Sequence, residues 1–157
     1  MKKIDTEGWA VKAIKEGEHT RGQWFTGNLY REAQKVASFS EEGTGGQMRI
    51  NYLNEDAESD FKSLATLLLG GEYPEEDALL ISRMVDEYIF VRMIKRERKK
   101  NTFFIVTEEG EDTAFKVDSP YSERVVKMIL SQKGDIVIAN EEFDVYPDGV
   151  EKVYRDE

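Results

Sequence analysis

The sequence predicts an α+β fold, a single compact domain with an antiparallel sheet and about three or four helices. Two patterns carry this expectation. Apolar residues recur at three- and four-residue steps in several separate stretches, as helices require. Short alternating runs bounded by Gly-rich turns lie between and after them, as hairpins require. No repeat, linker or low-complexity tract interrupts the 157 residues, so 1–157 reads as one domain. A subdivision into a small α/β part, 1–53, and a helix-plus-sheet part, 54–157, is the alternative.

The elements are read in order. Thr6 to Lys15 reads as a short helix, because Trp9, Ala10, Ala13 and Ile14 fall on one helical face and Gly17 can terminate it. Residues 23–30 mix aromatics with Gly27 and read as strand or turn. Lys35 to Ser40 and Gln47 to Leu53 alternate loosely and read as strands joined by the flexible loop 41–46. Asn54 can cap a helix whose first turn holds Glu55, Asp56 and Glu58, acids that suit the positive end of the dipole. Phe61, Leu64, Ala65 and Leu68 would be its inner face, and Gly70-Gly71 its stop. Pro74 would open a second helix with Glu75, Glu76 and Asp77 in the first turn. Leu80, Ile81, Met84, Val85, Tyr88 and Val91 continue it to a basic end, Lys95 to Lys100. The β-rich run 88–94 leaves open a strand in place of the last turns. Thr102 to Thr107 and Thr113 to Val117 form a hairpin about an acidic turn at Gly110. Ser119 as cap and Pro120 at the first helical position would start a third helix, with Val125, Val126, Ile129 and Leu130 inward and Gly134 at its end. A short strand, Asp135 to Ala139, follows. A last hairpin, Phe143 to Tyr146 with Val150 to Tyr154, would turn at Pro147-Asp148-Gly149.

Composition narrows the chemistry. The absence of Cys removes disulfides, a catalytic thiol and thiolate metal sites, and a single His removes the usual multi-His zinc site. Apolar residues make up 39% and charged residues 34%, and apolar runs such as Leu67 to Leu69 are far too short to span a bilayer. The first residues lack the apolar stretch of a signal peptide. A cytosolic location, in a host cell, is expected. The net charge of −10 is uneven: +1 over residues 1–50, −7 over 51–77, +4 over 78–100 and −8 over 101–157. Free nucleic acid is an unfavourable partner for so negative a chain, because phosphate affinity comes mainly from cations. A basic protein fits the field better.

Motifs for catalysis are not found. Gly43-Thr44-Gly45-Gly46 is Gly-rich like a phosphate loop, but no Gly-Lys-Ser/Thr follows. The acids at 54–60 lack the central Gly and spaced final Glu of a calcium loop. No Gly-x-Ser-x-Gly elbow occurs. No catalytic residue, metal or cofactor is expected. The first thirty residues do gather Trp9, His19, Arg21, Trp24, Phe25 and Tyr30, residue types that can stack on bases and bind phosphate or carboxylate.

Two short stretches carry family likenesses. Trp9-Ala10-Val11-Lys12-Ala13-Ile14-Lys15-Glu16-Gly17, followed by Arg21 and Trp24, resembles the opening of the phage Thoeris anti-defence domain, although a second Arg of that pattern is absent. The resemblance implies a sponge that sequesters a signalling nucleotide near Arg21 and Trp24. Gly22-Gln23-Trp24-Phe25-Thr26-Gly27-Asn28-Leu29, with Lys133-Gly134-Asp135-Ile136-Val137, resembles steps of the YopX-like prophage proteins, without that family's usual middle. Both point to phage or prophage accessory proteins.

The function expected is therefore a non-enzymatic accessory protein, an anti-defence inhibitor that binds a basic, nucleic-acid-handling host protein through acidic surfaces. The residues expected at that contact are Glu55, Asp56, Glu58, Glu72, Glu75, Glu76, Asp77, Glu108, Glu109, Glu111 and Asp112. The first alternative is a small-ligand sponge for a signalling nucleotide, using Trp9, His19, Arg21, Trp24 and Tyr30. The second is a structural or assembly protein, which an exposed Met84 or Met93 on a long amphipathic helix would favour. Neither a membrane nor direct nucleic acid is expected as a partner; a homodimer is compatible with the sequence.

Overall fold

The structure, a computed structural model, describes residues 2–155. The chain is α+β, with a four-stranded and a three-stranded antiparallel sheet and four helices among the described residues. It divides into two compact units, Asp5–Val85 and residues 2–4 with 86–155. We call these the N-terminal and C-terminal units.

In the N-terminal unit, β1 (Trp9–His19), β2 (Gly22–Arg31), β3 (Gln34–Glu41) and β4 (Arg49–Tyr52) form a meander in sequence order. One sheet face is apolar, with Trp9, Val11, Ile14, Leu29, Ala37 and Phe39 buried. Helix α1 (Glu55–Leu69) brings Ala57, Phe61, Leu64 and Ala65 to the same core, and the Phe61 ring lies 4.9 Å from that of Trp9. Asn54 caps α1 by accepting from the Ala57 N–H, and Gly70, at φ 88°, ends it. Leu68, expected on the inner face, is instead exposed.

The segment read as a first helix is strand β1. Its buried positions are Trp9, Val11 and Ile14, which alternate and then slip by one residue. The slip is a β-bulge between Lys12 and Lys15, with Ala13 at φ 57°. An extra residue in a strand changes the side-chain phase, so the sequence imitates a helical step. Gly27 lies opposite the bulge. A Cβ there would meet the Ile14 and Phe39 side chains at 2.4 and 2.7 Å, so only Gly leaves room for them.

Helix α2 (Glu76–Glu97) begins in the N-terminal unit and ends in the C-terminal one. Residues 88–94 are therefore helix. Pro74 is not its first residue; Glu75 intervenes at φ 55°, outside helical backbone. Leu80, Ile81, Met84 and Val85 are buried early in α2, whereas Phe90 and Ile94 are buried later. At 3.6 residues per turn these two sets lie on different faces. Tyr88 and Val91, expected in one continuous stripe, are only half-buried.

In the C-terminal unit, β5 (Thr102–Glu108) is central, flanked by β6 (Glu111–Val117) and β7 (Asp135–Ile138), both antiparallel to it. Phe103 and Ile105 pack with Phe90 and Ile94 of α2, while Phe104 packs with Val125, Val126 and Ile129 of α3 (Glu123–Leu130). Burial of both faces explains why β5 is continuously apolar rather than alternating. The β5–β6 turn is Glu109-Gly110, both at positive φ, as a two-residue hairpin demands.

Two expectations here need correction. Helix α3 is capped by Ser122, whose side chain accepts from Val125 N–H, not by Ser119. Ser119 uses its carbonyl to accept from Thr102 Oγ1, and Tyr121 is buried before the helix begins. No final hairpin forms. After β7 the chain enters a short helix, α4 (Ala139–Glu142), whose Asn140 is fully buried. Asn140 accepts from Phe103 N–H and donates to the Val145 carbonyl, which removes Val145 from strand pairing. The Pro147–Gly149 turn does form, closed by Val150 N–H to the Pro147 carbonyl at 3.0 Å.

Candidate functional site

A cleft of about 490 Å³ opens in the N-terminal unit. Three elements build it. The edge strand β4 contributes Ile50 and Tyr52, with Met48 just before it. Helix α1 contributes Glu58, Lys62 and Thr66, a stripe at four-residue spacing that must share one face. The return loop and start of α2 contribute Tyr73, Glu75, Glu76, Asp77 and Ala78. The return is sharp because Gly70 and Gly71 both take positive φ, which L-residues with a Cβ resist.

The four carboxylates of this cleft differ in what they do. Glu76 closes the loop: its Oε1 accepts from Thr66 Oγ1 at 3.1 Å and its Oε2 from the Gly71 N–H at 3.0 Å. Asp77 accepts from the Tyr52 hydroxyl at 2.8 Å and from the Ala78 N–H at 2.9 Å. Burial raises the Tyr52 phenol far above its usual range, and the bond to Asp77 raises it further. Tyr52 is thus a fixed proton donor. Glu58 pairs with Lys62 at 2.8 Å, a bond that raises the lysine's pKa. The Glu75 carbonyl accepts from the Leu79 N–H at 3.2 Å, but its carboxylate has no hydrogen-bond or ion-pair partner among the described residues. It also holds left-handed backbone, which costs a residue with a Cβ about 1 kcal/mol. Beside it Tyr73 is 51% exposed.

The cleft therefore offers a net negative field, a loosely held Glu58, a free Glu75 and an aromatic rim. It can receive a cationic side chain. Among the described residues no group of three His, Cys, Asp or Glu side chains converges as a metal site would require.

Of the acids expected at a contact, the cleft gathers Glu58, Glu75, Glu76 and Asp77. Glu55 and Asp56 sit in the first turn of α1, and Glu72 in the return loop. Glu109 lies in the β5–β6 turn of the C-terminal unit and Glu108, Glu111 and Asp112 at the strand ends beside it, where Asp112 accepts from Thr107 Oγ1 at 2.6 Å. Sequence reading missed Tyr52, Lys62 and Tyr73. Tyr73 had a signal: an aromatic between Gly71 and Pro74 has little local reason to be buried.

The aromatic and Arg set does not form one site. Trp9 is buried on the inner sheet face, with the Arg31 guanidinium over its ring at 5.2 Å. Trp24 and Tyr30 occupy the opposite face, since each pairs across from an outward residue, Gly17 and Ala10. Arg21 and His19 lie at the β1–β2 turn, where His19 Nε2 is 2.7 Å from the Glu42 carbonyl. The stretch that resembles the Thoeris anti-defence opening is strand here rather than helix. No family model, curated protein or solved structure matches the chain.

Proposed function

We propose that this chain is a non-enzymatic binding protein whose acidic cleft receives a Lys or Arg side chain of a protein partner. The observation that carries the reading is the unpartnered Glu75 beside exposed Tyr73, in a cleft already lined by Glu58 and Asp77. An exposed Tyr at a charged rim is the kind of anchor interfaces use. Carboxylates left outside internal bonds are free to steer a cation inward. Nucleic-acid-handling proteins present such cations densely, so inhibition of a host protein of that class is the form of binding this charge favours. The sponge alternative draws no comparable support, because its five residues lie on two sheet faces and a turn. The assembly alternative loses its motive, because Met84 is buried and Met93 packs against the core cluster of the C-terminal unit.

The test uses nona-arginine as a stand-in for a basic segment, with anisotropy read against salt. The pair Glu58→Gln with Glu75→Gln should weaken binding at least tenfold at low salt and flatten the salt dependence. Glu76 is left intact because it holds the loop. Unchanged affinity in the double variant would remove the cleft as the contact.

A further inference from the structure

The sheet of the N-terminal unit has a second face, and its charge is opposite to that of the chain. Strand register identifies the outward positions. On β1 these are Ala10, Lys12, Lys15, Gly17 and His19; on β2, Gly22, Trp24, Thr26, Asn28 and Tyr30. On β3 they are Lys35, Ser38 and Ser40, and on β4, Arg49 and Asn51. None of these residues is acidic. The carboxylates of the same strands, Glu16, Glu18 and Glu41, fall at inward register positions opposite Phe25 and Gln23.

Lys12, Lys15, Lys35 and Arg49 are all exposed. Lys12 Nζ lies 4.6 Å above the Tyr30 ring. Arg49 meets Glu42 at 3.7 Å with both side chains largely in solvent, a pairing worth little and easily exchanged. Trp24 lies against Gly17, where a Cβ would come 2.7 Å from the ring, so the glycine lets the indole lie flat on the sheet. Trp24 and Tyr30 stand six residues apart on β2, roughly 20 Å along the strand. Hydroxyl and amide groups of Thr26, Asn28, Ser38 and Ser40 fill the ground between the cations.

We propose that this face binds single-stranded nucleic acid, with phosphates on Lys12, Lys15, Lys35 and Arg49 and bases stacked on Trp24 and Tyr30. Cations that follow the backbone together with sequence-tolerant ring stacking are the requirements of such binding. The net charge of the chain does not decide the matter. Exposed charges are screened beyond about 8 Å at physiological salt, so a ligand on this face responds mainly to the four cations beneath it. A flat duplex would meet the cations but could not stack on the rings. An acidic protein would use the cations and leave the rings without a role. Single strands alone use both. The proposal rests on residues separate from the acidic cleft, and the two can fail independently.

The test is anisotropy of a labelled dT 12-mer with the full chain between 50 and 200 mM salt, alongside the matched duplex and a polyglutamate peptide. Binding of the single strand should weaken with salt, with a log–log slope approaching 3 for four phosphates at about 0.7 each. Lys12→Glu with Lys35→Glu should raise Kd more than tenfold and reduce that slope by more than one. Trp24→Ala should raise Kd several-fold, with Trp24→Phe restoring most of the loss. The oligonucleotide should quench tryptophan emission through Trp24, since Trp9 is buried. If Trp24→Ala folds poorly, the lysine pair decides, because both side chains are exposed. Absence of oligonucleotide binding at 50 mM salt overturns the proposal, as does indifference to the lysine pair. A duplex bound as tightly as the single strand, or polyglutamate bound in its place, overturns it too.

Discussion

Two carboxylate clusters, one in each unit, are built to different ends. In the C-terminal unit Glu141 has a side chain only 8% exposed, and every oxygen is engaged. Arg155 donates to both of its oxygens at 2.8 Å, and the Tyr121 hydroxyl donates to Oε1 at 2.7 Å while accepting from the Val153 N–H at 2.9 Å. In the N-terminal unit the acidic cleft leaves the Glu75 carboxylate without a partner among the described residues and Glu58 in an exposed pair. The comparison teaches which charges hold the fold and which remain for a ligand. A carboxylate enclosed by a bidentate Arg and a phenol contributes to stability; one left at a rim contributes field.

The largest effect expected follows from breaking the enclosed cluster. Glu141→Ala strands the Tyr121 hydroxyl and removes a bidentate charged pair, so unfolding free energy should fall by about 2–3 kcal/mol in a denaturant titration. Burial would raise the Glu141 pKa, but the Arg155 and Tyr121 bonds outweigh it and hold the group below its ordinary value. A depressed folded pKa means stability that is present above the unfolded value, about 4.3, and lost as pH falls through the folded one. The melting temperature should therefore drop on acidification below about pH 4, and Glu141→Gln should flatten that limb. Beside this cluster the buried Tyr146 hydroxyl has no hydrogen-bond partner among the described residues. Removing an unsatisfied buried group is favourable, so Tyr146→Phe should stabilise by about 1 kcal/mol. The smallest effect belongs to the cleft. Glu75→Gly relieves left-handed strain but frees the unfolded chain, and the two nearly cancel. Stability should stay within about 0.5 kcal/mol while nona-arginine binding weakens. A stability loss above about 1 kcal/mol would mean that Glu75 is a structural group and would dissolve the contrast.

What the sequence made legible was local. The Asn54 cap, the Gly70 stop and the Glu109-Gly110 turn could be read because each depends on one or two residues and their own backbone. The β1 strand could not, because its bulge shifts the apolar phase by one residue. That single misreading also hid the outward cations: Lys12, Lys15 and Lys35 share a face only if β1 is a strand paired with β2. Ser119 and Ser122 are equally good caps in isolation, and only the burial of Tyr121 chooses between them. Within the site, the acids at 75–77 could be expected near one another from their adjacency. Their approach to Glu58 and Tyr52 depends on the Gly70-Gly71 reversal and on β4 packing, which no local pattern specifies.

The bulge at Ala13 has a further consequence for solubility at high concentration. Strand β1 is eleven residues long and lies at a sheet edge. A long, flat edge with unpaired N–H and C=O groups invites a second molecule to add its own strand and begin a fibril. The extra residue bends and twists the edge at mid-length, and Lys12 and Lys15 flank the bend with like charge. Deleting Ala13 would straighten the ladder, because Lys12, Ile14 and Lys15 would then alternate opposite Asn28, Gly27 and Thr26 with no residue to spare. Such a protein would be expected to scatter light on storage long before it lost its circular-dichroism signal, because the template would be exposed in the folded state.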